Sequence, residues 1–251
     1  MKKLQLLLEE IAEHSALNNS FYDLWLDRKL SFRELEIFAR NYGAWVKAFP
    51  DSLAILFTTI EDPIAKIEYV NTLYSEMGYG QPDKVHWKLL DQFWADLANQ
   101  LGEPERLNRE RLEKEVSIIK FTTELIEGER ELYGGSREIA VGAQLALEWQ
   151  AYSMLRKLYE GAQNYKGLWK DPDGFYESCE YFYAHLGAAE KEHKVESLNA
   201  VKQYLVSEQS TKEIIDGFND HLNLIANFWE GIYSTIQKVK SSEDASYVPH
   251  V

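Results

Sequence analysis

The chain has 251 residues, 41 of them Asp or Glu and 27 Lys or Arg, for a formal net charge of −14 at pH 7. That surplus excludes a broad phosphate-binding face for nucleic acid and suits no anionic membrane surface. Hydrophobic residues at 45% allow a sizeable core, and the one cysteine, Cys179, excludes a disulfide framework and points to a reducing, cytoplasmic setting.

The opening MKKLQLLLEEIAEH resembles the start of a signal peptide, but Glu9 and Glu10 end its apolar run too early for one. No later run reaches the length of a membrane span. Ser31 followed by Glu34 is a capping box. Behind it Leu35, Phe38, Tyr42, Trp45 and Phe49 recur at helical spacing. Pro63, just after Glu61 and Asp62, fits the first turn of another helix. Residues 78–82 (Gly-Tyr-Gly-Gln-Pro), 134–135 (Gly-Gly) and 171–174 (Asp-Pro-Asp-Gly) read as loops. Ser210 followed by Glu213 reads as a second capping box. It precedes the longest stripe: Ile214, Phe218, Leu222, Ile225, Trp229, Ile232 and Ile236. The six prolines, at 50, 63, 82, 104, 172 and 249, bound long Pro-free stretches, and alternating strand patterns are absent. The expectation is an all-α bundle of roughly seven to eight helices, with one domain over 1–240 and an unstructured tail over 241–251.

Candidate chemistry is sparse. The stretch HLGAAEKEH puts His185, Glu190 and His193 within nine residues. Glu190 and His193 form a Glu-x-x-His pair, whose two side chains lie nearly one turn apart and can reach the same point in a bundle core. A chain this rich in Glu produces such a pair by chance, and taken alone it is more often a solvated helix face than a metal site. Cys179 reads as a buried structural thiol before a nucleophile. His221 reads as a hydrogen-bonded helix histidine, and His14 and His250 as surface residues. The 15 Tyr and 7 Trp are read first as core. No phosphate loop, His-Glu-x-x-His motif or nucleophile elbow occurs.

Several segments taken together resemble one family. They are NSFYDLWLDRKLSFRELEIFARNYGAWVKAFP (19–50), NTLYSEMGYG (71–80), AVGAQLALEW (140–149) and YFYAHLGAAEKEH (181–193). In this order and separation they are similar to the CADD-like branch of the heme-oxygenase-like di-iron oxidases. That fold is shared with thiaminase II and pyrroloquinoline-quinone synthase. The resemblance implies a heme-oxygenase-like helical bundle and a non-heme di-iron (or di-manganese) centre that activates O2 on a small-molecule substrate. It implies Glu76, His86, Glu148, His185, Glu190 and His193 as metal ligands. The family spaces its last three ligands by four and then three residues, whereas His185, Glu190 and His193 are spaced by five and three. Either one extra residue is taken up as a π-bulge, or residue 189, an Ala, faces the metals.

Substrates across such proteins include amines, amino acids and fatty acids. One branch converts its own tyrosine into p-aminobenzoate, and Tyr22 matches that tyrosine as the catalytic candidate. The matching amino-donor position is Leu158, with Lys157 beside it, about 100° round the helix. Two other readings stand beside the oxidase: a metal-free enzyme of the same fold, and a non-enzymatic interaction protein. A homodimer is the expectation by analogy of fold.

Overall fold

The computed structural model describes residues 8–186 and 188–246, with 188–193 and 240–246 described by backbone alone. No strand occurs among the described residues. Eleven α-helices have both ends among them: α1 (Ser20–Asp27), α2 (Phe32–Thr59), α3 (Pro63–Glu76), α4 (His86–Gln100), α5 (Arg109–Glu115), α6 (Lys120–Tyr133), α7 (Arg137–Ala162), α8 (Pro172–Ser178), α9 (Glu180–Leu186), α10 (Ala188–Lys202) and α11 (Glu208–Ser246). Seven have fourteen residues or more, in line with the periodicity. The surplus over the expected number consists of pieces of seven or eight residues, too short to display a repeating stripe.

Local rules place most helix ends. Ser31 Oγ accepts from the Glu34 amide and Glu34 reaches back to the Ser31 amide, completing the capping box of α2. Asp62 caps α3 ahead of Pro63. Three ends differ from expectation. Helix α2 continues through Pro50 to Thr59: losing one backbone hydrogen bond is outweighed by burial of Ser52, Leu53 and Leu56 beyond it. Asp171 and Pro172 begin the short helix α8, because Asp171 caps it and Pro suits a first turn. The box before α11 lies one turn earlier than Ser210–Glu213. Ser207 and Ser210 exchange side-chain and amide hydrogen bonds at 2.9 and 3.0 Å, while Glu213 instead accepts from Ser136 and Gln209. Helix α11 then runs to Ser246, past the point where its apolar stripe fades.

The core centres on α7 and α11, which pack together along much of their length. Two glycines set that crossing. A Cβ on Gly142 would stand 2.8 Å from the Ile214 carbonyl carbon, and one on Gly217 would stand 2.9 Å from that of Ile139. Backbone meets backbone there, and α7 is fixed in place. Helices α2 and α6 pack beside this pair, α3 packs on α10 and α2, and α4 on α9 and α2. No helix among the described residues is long and apolar enough to cross a membrane.

Candidate metal centre

Three of the six expected ligands converge. Glu76 at the end of α3, His86 at the start of α4 and His185 in α9 each offer a ligand atom, and these atoms all lie within 4.8 Å of one another. His86 Nδ1 is 3.0 Å from Glu76 Oε2, and His185 Nε2 is 3.6 Å from Glu76 Oε1. The two imidazole centroids are 4.3 Å apart.

Gly78 makes the first pairing possible. It sits at φ +67°, and a Cβ there would stand 2.5 Å from the Lys84 carbonyl carbon and 2.7 Å from the Val85 amide. The chain therefore folds back tightly over residues 78–85 and delivers His86 beside Glu76. A side chain at residue 78 would obstruct that return.

Each histidine nitrogen facing the cluster is available for a metal. His185 Nδ1 donates to the Tyr181 carbonyl at 2.7 Å, which leaves Nε2 as the lone-pair nitrogen directed at Glu76. His86 Nδ1 is buried and near the carboxylate, yet the approach lacks hydrogen-bond geometry. Two donors aimed at a shared third point produce this arrangement. Imidazole with carboxylate is the donor set that suits iron or manganese, so the residues present fit the metal that the resemblance implies. Burial alone would raise the Glu76 carboxyl, but the neighbouring His86 and His185 imidazoles outweigh it and hold it well below the usual range. Burial opposes protonation of His86, and the Glu76 charge more than compensates, so its pKa is raised.

Glu148, on α7, joins from the opposite wall. It is buried, and Gln144 Nε2 donates to its Oε1 at 2.6 Å, while Tyr133 Oη donates to Gln144 Oε1. Glu76, Glu148 and His185 all line one cavity of about 60 Å³ between α2, α3, α7 and α9. Glu190 and His193, with the choice between residues 189 and 190, lie outside the residues whose side chains are described. Sequence reasoning missed the supports Gln144 and Tyr181. Each stands four residues before the candidate ligand it contacts, one helical turn back, and that spacing is the signal that could have found them.

Tyr22 does not line the cavity. It is fully buried behind Trp229 and Tyr42, with ring centroids 4.9 Å apart for Tyr22–Trp229 and 5.7 Å for Tyr42–Trp229. Burial pushes its phenol well above the usual value. Lys157 Nζ lies 5.4 Å from the Tyr22 ring centroid and donates to the Leu17 carbonyl at 2.6 Å. Leu158 is buried, its carbonyl accepting from Trp25 Nε1. Cys179 is buried, and desolvation pushes its thiol up to about 12, so it is no nucleophile. His221 is fully buried, with Nε2 3.2 Å from Glu129 Oε1, the hydrogen-bonded role expected of it.

An all-helical bundle that brings imidazole and carboxylate donors together from α3, α4 and α9, with Glu148 of α7 on the same cavity, has the makings of a carboxylate-type metal centre. The comparisons give that class its family. Residues 36–226 match the pattern of the iron-containing redox enzymes, and the chain belongs to this family. Among curated proteins it is 24% identical to the 4-aminobenzoate synthase of Chlamydia pneumoniae, over 90% of this chain and 92% of that one. It is 23% identical to the 4-chloro-allylglycine synthase of Streptantibioticus cattleyicolor, over 90% of this chain and 80% of that one. Among solved structures it is similar to a CADD-like protein of unknown function from Nostoc punctiforme, with a TM-score of 0.71, 18% identity, and 94% and 97% of the two chains covered. A heme-oxygenase-like domain of unknown function from Shewanella denitrificans gives a TM-score of 0.67 at 15% identity, covering 96% and 93%. The fold is heme-oxygenase-like.

Proposed function

We propose that this chain is a non-heme di-iron oxidase or oxygenase that uses O2 as co-substrate and acts on a small molecule. The observation that carries it is the convergence of Glu76, His86 and His185 with Glu148 on the facing wall. A metal-free enzyme of the same fold would have no use for these buried, mutually directed donors. In this reading Glu76, His86 and Glu148 serve with His185, Glu190 and His193 as the ligand set for two metals.

Iron bound there supplies electron transfer to dioxygen, and with it oxidation of a substrate bond. The chain's own residues supply the rest. Tyr181 holds His185 in the tautomer that presents Nε2. Gln144 donates to Oε1 of Glu148 and so orients its carboxylate on the cavity wall. The Tyr42 and Tyr181 hydroxyls hydrogen-bond to each other at 2.7 Å at the cavity wall. Trp45, Phe49 and Leu155 add apolar wall to the cavity beside the ligands.

The test is anaerobic Fe(II) loading followed by exposure to O2. About two irons per chain and an O2-dependent absorption transient are expected from this ligand number. Protein that stays iron-free after such loading sinks the proposal.

A second reading, p-aminobenzoate formation at the expense of Tyr22, is favoured by the Lys157 ammonium over the Tyr22 ring. The Lys157 stem spans the offset that the sequence register left, since four methylenes carry the amine across it. It predicts that iron-loaded protein supplied with O2 and reductant releases p-aminobenzoate detectable by mass spectrometry, and that Tyr22→Phe releases none. Release from Tyr22→Phe equal to that of the unaltered chain refutes it.

A further inference from the structure

Helix α3 has one face in the bundle and one outside it. Ala65, Tyr69, Thr72, Ser75 and Glu76 are buried, while Ile64, Ile67, Val70, Tyr74 and Met77 stand on the other face at 42–61% exposure. Tyr79, just past the helix, is exposed as well. These six are half of the twelve large apolar side chains exposed among the described residues. Every exposed position from Ile64 to Met77 is uncharged. Lys66, half-buried at the edge of the stripe, sets its ammonium 4.7 Å from the Phe57 ring centroid.

Tyr79 adopts φ +53°, a left-handed conformation that disfavours any side chain beyond glycine. Its ring stands edge-on to Tyr74, with centroids 5.6 Å apart. A strained backbone that sets one exposed ring against another points to something that covers both. The area is large enough for a partner. Side chains of this size at half exposure present about 600 Å² together, the upper end of what a monomer leaves in one patch and most of the ~800 Å² per partner in a standard interface. An anionic membrane is a poor occupant, because the stripe offers no cation and the chain carries −14.

The spacing favours a second copy. Ile67, Val70, Tyr74 and Met77 follow one another at steps of three, four and three residues, which read the same from either end. An isologous contact needs a patch complementary to itself, with the two copies running in opposite directions. A twofold axis between Val70 and Tyr74 lays Ile67 of one copy against Met77 of the other, and Val70 against Tyr74. Independently of the oxidase reading, we propose that α3 is the interface of a homodimer, packed antiparallel on α3 of a second copy. Met77 and Tyr79 flank Gly78, so the contact seals the outer side of the turn that delivers His86 to Glu76.

Sedimentation equilibrium and light scattering of the full chain at micromolar concentration read the mass. Twice the chain mass is expected, with association strengthened by added salt as repulsion between copies that each carry −14 is screened. Ile67→Glu should weaken association about 100-fold or more, because each dimer would bury two unpaired carboxylates. Met77→Lys should do the same with two ammonium groups. Both side chains are exposed, so the helical content of each variant by circular dichroism should match that of the unaltered chain. Mixed in equal amounts, the two variants should associate again: one glutamate then faces one lysine, and the other Ile67–Met77 contact is intact. A monomeric unaltered chain, its stripe left to residues 1–7 or to a different partner, overturns the proposal. So does an Ile67→Glu variant that stays dimeric, or a mixture of the two variants that stays monomeric.

Discussion

The crossing of α7 and α11 at Gly142 and Gly217 yields a prediction whose sign opposes the simple expectation. In an open helix, Gly→Ala stabilises by about 1 kcal/mol. Here the new methyl on residue 142 would stand 2.8 Å from a backbone carbonyl carbon, against the 3.4–4 Å of ordinary contact. The helices must part by more than half an ångström, and neither backbone can rotate away as a side chain would. Overpacking of this kind costs about 1–3 kcal/mol and sometimes more, and a clash between backbones belongs at the upper end. After the propensity gain is subtracted, Gly142→Ala and Gly217→Ala should each lose about 2 kcal/mol, roughly 4–8 °C in Tm for a chain of this size. The double variant should lose less than the sum, because helices already parted accept the second methyl more cheaply. Glu148 lies on α7 under two turns from Gly142, so metal affinity should fall with stability. Thermal unfolding of the metal-free protein followed by circular dichroism reads the effect. A Tm that rises or stays unchanged in Gly142→Ala would refute the close approach on which the argument rests.

Other outcomes follow from single contacts. Gln144→Leu removes the donor that orients Glu148 and should weaken binding of one metal by about 10–100-fold. Tyr133→Phe should act in the same direction but less, and unchanged affinity in a chelator competition for Gln144→Leu would sink the idea. His221→Leu leaves the fully buried Glu129 with the long 3.4 Å donation from Trp45 Nε1 in place of its imidazole and should cost about 3 kcal/mol in urea unfolding, much of it recovered when Glu129→Gln is added. Recovery absent in the double variant would show that packing, not charge, holds the pair. Burial works against the Glu36 carboxylate, but Arg106 and Arg111 outweigh it and hold its pKa low, and Arg28 and Ser31 do the same for Glu34. A depressed folded pKa stabilises above the unfolded value of about 4.3, and that stability disappears as pH falls through the folded pKa. Glu36→Gln should therefore flatten the acid limb of the stability profile without altering its shape above pH 6; an unchanged acid limb would argue against the assignment. Cys179, with its thiol pushed up to about 12, should resist a thiol reagent at pH 8 until denaturant is added, and prompt labelling of the native protein would contradict its burial.

Much of the architecture is legible in the chain because helix formation obeys rules of a few residues' range. The stripe from Ile214 to Ile236 is buried residue by residue, and the Ser31 box and the Pro63 first turn are used as they read. Where those rules failed, longer-range packing decided: burial past Pro50 carried α2 onward, and Ser207 took the cap from Ser210. The resemblance proposed the site, yet on sequence alone Glu190-x-x-His193 was indistinguishable from a polar helix face. What sets Glu76, His86 and His185 apart as candidates is their convergence from three helices, with Glu148 on the same cavity, and no local pattern encodes that. It depends on Gly78 folding the loop back to His86 and on Gly142 and Gly217 letting α7 lie close to α11. One placement depended on side-chain reach rather than register: position 158 holds a buried Leu, while Lys157 beside it brings its ammonium within 5.4 Å of the Tyr22 ring centroid. The sequence by itself determined which residues form helices and which face of each is apolar, because those depend on neighbours three and four residues away. Only the tertiary structure decided which polar side chains share a cavity, because that distance is set by how closely whole helices pack.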